Sequence, residues 1–191
     1  MMSTKADEGL LRDAREVARK LLRKERPERW LHTQGVGGRA AELAATVQKP
    51  DRVVLIAAAW LHDIGYSPLI RDTGFHPLDG ALYLRTEGWD ERIAALVAHH
   101  SGARFVPAVR GLGSLMAEFV FEDDEVSDAL TYADQTVGPY GKRMTVQDRI
   151  EDAVKRHGPG SPNAQARIDR QPYLLSVADR VEKRLKANKH K

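Results

Sequence analysis

Apolar residues recur at intervals of three and four along most of the chain, and this periodicity predicts an all-α fold. The first predicted helix begins after Thr4, a residue type that caps helices, and it ends before Pro27. The last helix begins near Asn163, and Pro172 is predicted to kink or restart it. The sequence has no internal repeat and no glycine-rich phosphate loop preceded by a strand. We therefore expect a helical protein.

The most apolar segment, residues 53–61, reads VVLIAAAWL and is apolar nearly all round. Its β-branched start also fits a buried strand, but the alanine-rich continuation favours a central buried helix. The segment runs directly into His62 and Asp63, and Gly65 permits the helix to end there. A buried charge is costly unless another group compensates it, so this helix end needs a partner for its ionised pair.

Ionisable residues also face inward on other predicted helices. Four helices each direct a histidine or an aspartate towards the core, and these residues are His32, His62 with Asp63, His100, and Asp134. One inward histidine is commonly a core residue. Several histidines beside two buried carboxylates need a partner that offsets the cost of burying their charge. A divalent metal ion is such a partner, because imidazole and carboxylate are ordinary metal ligands. A structural cluster of ion pairs is the alternative, although these predicted inward faces carry no Lys or Arg.

The composition narrows the class of protein further. The chain has 191 residues, a formal net charge of +3 and no cysteine, which excludes disulfides, thiolate metal sites and a cysteine nucleophile. Its N-terminus is too charged for a signal peptide, and no apolar run is long enough to span a bilayer. We expect a cytoplasmic protein without a membrane partner.

The order of these motifs resembles the HD superfamily of metal-dependent phosphohydrolases, whose signature is His, then His-Asp, then Asp. The letters HDIG at 62–65 match its HDIG subgroup, and similar surroundings are RWLHTQGVGGRAAELA (29–44), AHHSG (98–102) and TYADQT (131–136). The resemblance covers roughly residues 28–140 and implies an HD-domain helical bundle with a metal centre in its core. We accordingly divide the chain into an N-terminal helix (1–27), a phosphohydrolase domain (28–158) and a basic C-terminal helix (159–191).

The resemblance also implies a ligand set. The first metal would be bound by His32, His62, Asp63 and Asp134, of which His62, Asp63 and Asp134 are also the predicted catalytic residues. Asp63 would bridge to a second metal bound by His76, His99 and His100. His76 could instead lie near a helix N-cap, and the sequence does not rank His99 against His100. One or two ions of Mn, Fe, Co, Ni, Mg or Zn are expected.

The predicted substrate-binding residues are basic residues near these motifs. Lys142 and Arg143 end the loop GPYGKR, shortly after Asp134, and Arg104 follows HHSG. We expect these three to contact phosphate oxygens; the alternative is that they are solvated loop charges. Tyr66 stands where the family often has Lys, and the motifs of the cyclic-dinucleotide and alarmone hydrolases are missing, so those substrates are less expected.

The expected function is hydrolysis of a phosphate ester, of a nucleotide or another small phosphorylated metabolite, by a metal-activated water. One alternative is a regulatory module that binds metal or nucleotide without turnover, although its ligands would not need to be intact. The other is a helical nucleic-acid-binding protein, which the basic ends favour but the aromatic content of 6% and the missing recognition motifs do not. The sequence leaves an oligomer open.

Overall fold

The described residues form α-helices, with short 3-10 segments in some of the connections. A computed structural model describes residues 4–106, 110–158 and 160–188. The helices are α1 (Lys5–Leu22), α2 (Pro27–Leu43), α3 (Arg52–Leu61), α4 (His76–Thr86), α5 (Glu91–His99), α6 (Gly113–Ala117), α7 (Glu125–Gln135), α8 (Val146–His157), α9 (Pro162–Gln165) and α10 (Arg167–Asn188). Within these ranges there is no β-strand, only an isolated bridge between Val137 and Arg143. The all-α prediction is confirmed.

Local sequence signals set most helix starts. Thr4 caps α1 in a capping box with Asp7, and Thr145 caps α8 in the same way with Asp148. Pro27 opens α2 at a position where its missing N–H costs nothing. Pro172 does not restart the last helix, because the break falls earlier, between α9 and α10, and α10 continues through the proline.

The centre of the fold is α3, which contacts α1, α2, α5 and α7. Its alanines are fully buried, and small side chains let the neighbouring helices approach closely. On α2, Gly37 faces the Trp60 ring of α3, and a Cβ added there would lie 2.6 Å from a ring carbon. The predicted central buried helix is therefore observed, and it delivers His62 and Asp63 to the middle of the molecule.

The C-terminal helix α10 packs along α7 and against the 3-10 segment that follows α5. Arg180 and Arg184 on α10 form ion pairs with the buried Asp128 of α7, at 2.5 and 2.7 Å. The division of the chain at residues 27 and 158 stays a prediction, and its outermost residues, 1–3 and 189–191, lie outside the described ranges. None of the described helices is long and apolar enough to cross a bilayer.

Candidate active site

His62 and Asp63 lie where α3 gives way to a 3-10 turn, Ile64–Tyr66. Successive side chains on a continuing α-helix would diverge by roughly 100°. Here the change of helix type lets the two side chains meet, with His62 Nε2 3.5 Å from Asp63 Oδ2. His32 of α2 reaches the same carboxylate oxygen at 3.7 Å. All three side chains are buried, so a shared ligand could bind between them.

Asp134, near the end of α7, faces the same two histidines. Its Oδ1 lies 2.9 Å from His32 Nε2 and 3.9 Å from His62 Nε2. Its other oxygen accepts a short hydrogen bond from Ser101 Oγ and another from the Gln135 amide at 3.1 Å. The four predicted first-metal ligands therefore form one cluster, held by three different helices.

Backbone carbonyls orient the histidine rings of this cluster. His32 Nδ1 lies 3.0 Å from the Gly138 carbonyl, His62 Nδ1 2.8 Å from that of Ala59, and His100 Nδ1 2.6 Å from that of Val97. A carbonyl only accepts, so each Nδ1 donates to it, and the neutral ring of His62 then presents the lone pair of its Nε2 to the cluster. His62 Nε2 is buried without a hydrogen-bond partner. Lone pairs directed at carboxylates fit a metal ion between them.

A second group of potential ligands shares Asp63 with the first. His76 Nε2 lies 3.4 Å from Asp63 Oδ1, and His100 Nε2 lies 4.0 Å from it. The two histidine nitrogens are 3.3 Å apart. In this second group, potential ligand atoms lie within 4.8 Å of one another, one from each of Asp63, His76 and His100. The same holds for the first group, with His32, His62 and Asp63. The arrangement fits two ions that share Asp63.

His99 does not join this group. Its Nε2 lies 2.8 Å from the Phe119 carbonyl, and its ring contacts Phe121 at a centroid distance of 5.4 Å. The residue lies one position before His100 at the end of α5, so its side chain leaves the helix in a different direction. The prediction of His99 as a second-metal ligand is therefore corrected: His76 and His100 are the histidines beside Asp63.

The protonation states of the cluster suit a cation. Burial lowers the pKa of His62 to about 4, and burial likewise lowers that of His76 well below its usual range. Burial alone would raise the pKa of Asp63, but the surrounding histidines and Arg29 hold it well below its usual range. Burial also opposes ionisation of Asp134, and a hydrogen bond with His32 and the charge of Arg149 outweigh it. Neutral imidazoles and ionised carboxylates are the forms that bind divalent metals.

A cavity of about 260 Å³ opens beside the cluster. Its charged lining combines Asp63 and Asp134 with five arginines, which are Arg29, Arg110, Arg149, Arg167 and Arg170. Its apolar wall includes Phe75, Val106, Ile150, Val154 and Leu174. Sequence reasoning assigned none of these arginines to the site, because the spacing of a basic residue along a helix or loop does not show whether it faces a cavity or solvent.

Arg29 lies at the edge of the cluster, one turn before His32. Its Nη1 donates to Asp63 Oδ2 at 3.2 Å, and its guanidinium stacks over the Tyr66 ring at 3.9 Å. The Tyr66 ring in turn stacks on His76 at a centroid distance of 3.8 Å. The RW that precedes the first histidine was part of the sequence resemblance, but only the fold shows that this arginine reaches Asp63.

The basic residues predicted to contact substrate lie elsewhere. The exposed Arg143 pairs with Glu42 of α2, and neither it nor the exposed Lys142 lines the cavity. Arg104 is stacked over the rings of Phe105, Phe121 and Tyr173, at 4.9, 4.0 and 4.7 Å. The loop after Asp134 folds onto α2 and contributes the Gly138 carbonyl to His32 instead of cationic side chains to the cavity. These three assignments are corrected.

The comparison with protein families agrees with this geometry. The family model described as HD domain matches residues 29–184, which include every member of the cluster. The chain belongs to the HD domain family. An HD domain is a helical bundle, and membership implies binding of a divalent metal, which the buried His/Asp groups fit. No curated protein and no solved structure matches the chain.

Proposed function

We propose that this HD domain protein is a metal-dependent phosphohydrolase of the HDIG subgroup that cleaves the phosphate ester of a nucleotide or another small phosphorylated metabolite. The observation that carries the proposal is the joint placement of two ligand groups sharing Asp63 and of a cavity lined by five arginines. The arginines favour an anionic substrate, and the size of the cavity, about 260 Å³, favours a small one.

The ligand assignment follows the two groups. His32, His62, Asp63 and Asp134 would hold one ion, and Asp63, His76 and His100 a second. A bound divalent ion acidifies a coordinated water and polarises phosphoryl oxygens. The chain's own residues prepare this site: burial keeps His62 neutral, Arg29 offsets the charge of Asp63, and Ser101 and Gln135 hold the outer oxygen of Asp134.

Metal content and hydrolysis measured on the same samples test the proposal. The protein is stripped with a chelator, reloaded with Mn, Fe, Co, Ni, Mg or Zn, and assayed on nucleotides, sugar phosphates and a generic phosphomonoester. We expect hydrolysis that depends on the added metal. In His62→Ala, loss of a buried ligand should remove metal and hydrolysis together.

His99→Ala is the matched control, because it removes a neighbouring buried histidine outside the ligand groups. Its metal content and hydrolysis should match those of the unaltered protein. Full metal occupancy in His62→Ala would contradict the ligand assignment. Metal binding without hydrolysis of any ester would favour a regulatory module over an enzyme.

A further inference from the structure

Two arginines from the C-terminal helices lie near Asp134. Arg149 of α8 is 6% exposed, and its Nη2 lies 3.4 Å from Asp134 Oδ1. Its Nη1 is buried without a hydrogen-bond partner, with Asp152 Oδ2 at 3.6 Å. Arg170 of α10 donates from Nε to the Ser101 carbonyl at 2.8 Å. Both residues line the cavity.

The protein pairs Arg149 with Asp134 and Asp152 but balances the charge of Arg170 less. No carboxylate in the described ranges forms an ion pair with Arg170, and burial lowers the pKa of its guanidinium. The lining of the cavity contains two carboxylates against five arginines. A partly buried cation without a carboxylate partner, as at Arg170, is unfavourable, and a guanidinium matches phosphate oxygens with parallel N–H donors. An anion in the cavity would satisfy both arginines.

We propose that Arg149 and Arg170 form an arginine clamp for the phosphoryl group, and that the substrate is a phosphomonoester whose organic part lies on the apolar wall of the cavity. This inference rests on the proposed function, since the clamp lies beside the same Asp134. Phe75, Val106, Ile150 and Leu174 on that wall are each buried, so they offer an apolar or aromatic surface in place of polar partners for many hydroxyl groups.

The excess of cationic groups selects the monoester over the diester. A monoester is a dianion near neutral pH and exposes three non-bridging oxygens, whereas a diester is a monoanion and exposes two. Hydrolysis joins the water oxygen to phosphorus, breaks the ester P–O bond and leaves a proton on the departing alcohol. The other product is inorganic phosphate, which is the smallest ligand that the arginine clamp should bind.

Inorganic phosphate is therefore the probe for the first test. Its binding is measured by calorimetry on the metal-loaded protein and again after removal of metal by a chelator. In Arg170→Gln we expect Kd for phosphate to rise ~10-fold or more in both states, with metal content unchanged. Lys183→Gln on α10 and Lys155→Gln on α8 remove one charge from exposed positions and should leave Kd unchanged.

Arg149→Gln should weaken phosphate binding in the same way, and Arg149→Lys should restore only part of it, because an ammonium lacks the planar fork. Arg149 also touches Asp134, so the melting temperature of each variant is measured. Should Arg149→Gln fail to fold, Arg170→Gln alone decides the question. Phosphate binding to Arg170→Gln with the Kd of the unaltered protein would overturn the clamp.

Kinetics separate failure of the clamp from failure of the proposed function. In Arg170→Gln we expect kcat/KM to fall ~10- to 100-fold for p-nitrophenyl phosphate and much less for bis(p-nitrophenyl) phosphate. Equal losses for both esters would overturn the selection of monoesters while the phosphohydrolase assignment stands. If the unaltered, metal-loaded protein cleaves no ester but binds phosphate through Arg170, the clamp stands and the proposed function fails.

Discussion

Asp63 is the residue on which both ligand groups depend. Its Oδ2 faces His32 and His62, and its Oδ1 faces His76 and His100. Arg29 is its cationic partner within the protein, at 3.2 Å. Because the Asp63 carboxylate belongs to both ligand groups, a substitution of Asp63 should affect both ion sites together.

Replacing Asp63 by Asn keeps the shape of the side chain and removes its charge. We expect Asp63→Asn to lose both ions and all hydrolysis, whereas His100→Ala should lose one of two ions and keep the fold. Metal analysis under saturating metal, with circular dichroism as the fold control, provides the measurement. An Asp63→Asn protein that still binds two ions would show that Asp63 bridges nothing.

The depressed pKa of His62 predicts how the metal-free protein responds to pH. In the unfolded chain a histidine takes up its proton near pH 6.5, but in the folded protein burial delays this for His62 to about 4. Protonation therefore favours the unfolded state throughout this window. The free energy of unfolding should fall by ~1 to 3 kcal/mol as the pH drops from 6.5 to about 4.

Urea denaturation in chelator at pH 7, 6, 5 and 4.5 measures this dependence. In His62→Gln the free energy of unfolding should fall less steeply as the pH is lowered. Part of the pH dependence should remain, because the pKa of His76 is also lowered. Asp63 and Asp134 affect the free energy of unfolding only at lower pH, because their pKa values are depressed below the usual carboxyl range. Identical slopes for His62→Gln and the unaltered protein would mean that His62 is not buried in its neutral form.

At the scale of the elements, Gly65 shows why the turn after Asp63 needs a glycine. It was expected to permit the end of α3, yet its φ is not among the positive values of the described chain. The requirement is space: a Cβ at Gly65 would overlap the His76 carbonyl oxygen and lie 2.7 Å from the Gly80 nitrogen. The start of α4, which carries His76, packs directly on this turn.

Gly65→Ala should therefore displace α4, because the atoms in its way are backbone and cannot rotate aside. We expect a loss of ~1 to 3 kcal/mol in the free energy of unfolding and weaker binding of one ion, through movement of His76. Thermal unfolding with metal analysis measures both effects. Gly38→Ala is the control, since a Cβ at that exposed helical position meets nothing within 4 Å and should stabilise α2 slightly.

At the scale of the whole molecule, α10 connects the surface of the bundle to the cavity. The ion pairs of α10 with Asp128 hold it along α7, the helix that also carries Asp134. Arg170 lies on α10 itself. Asp128 is 3% exposed, whereas the side chain of Arg180 is 40% exposed, so solvent weakens part of this interaction.

Asp128→Asn should loosen α10 without touching a metal ligand. We expect a decrease of ~1 to 3 kcal/mol in the free energy of unfolding and a weaker affinity for inorganic phosphate, while metal content stays the same. Urea denaturation and phosphate titration give the two readouts. Unchanged phosphate affinity in a measurably destabilised Asp128→Asn would mean that α10 reaches the cavity independently of this anchor.

The sequence alone predicted the helical class, the cap at Thr4, and four inward-facing residues as candidate ligands, which are His32, His62, Asp63 and Asp134. These features are local or periodic: a cap acts within one turn, and a helix face repeats every 3.6 residues. The HDIG motif added the order of the ligands along the chain, and the fold then brought them together.

Only the tertiary structure decided between His99 and His100, because both lie at the end of α5, where the backbone leaves the helix and its path sets the direction of each side chain. It also replaced Lys142, Arg143 and Arg104 with five other arginines, of which Arg149, Arg167 and Arg170 lie beyond the segment that carries the motifs. An arginine on a helix has the same local pattern whether it faces solvent or a cavity. Which of the two applies to Arg149 and Arg170 depends on how α8 and α10 pack around Asp134, and that packing is set by contacts between residues distant in the chain.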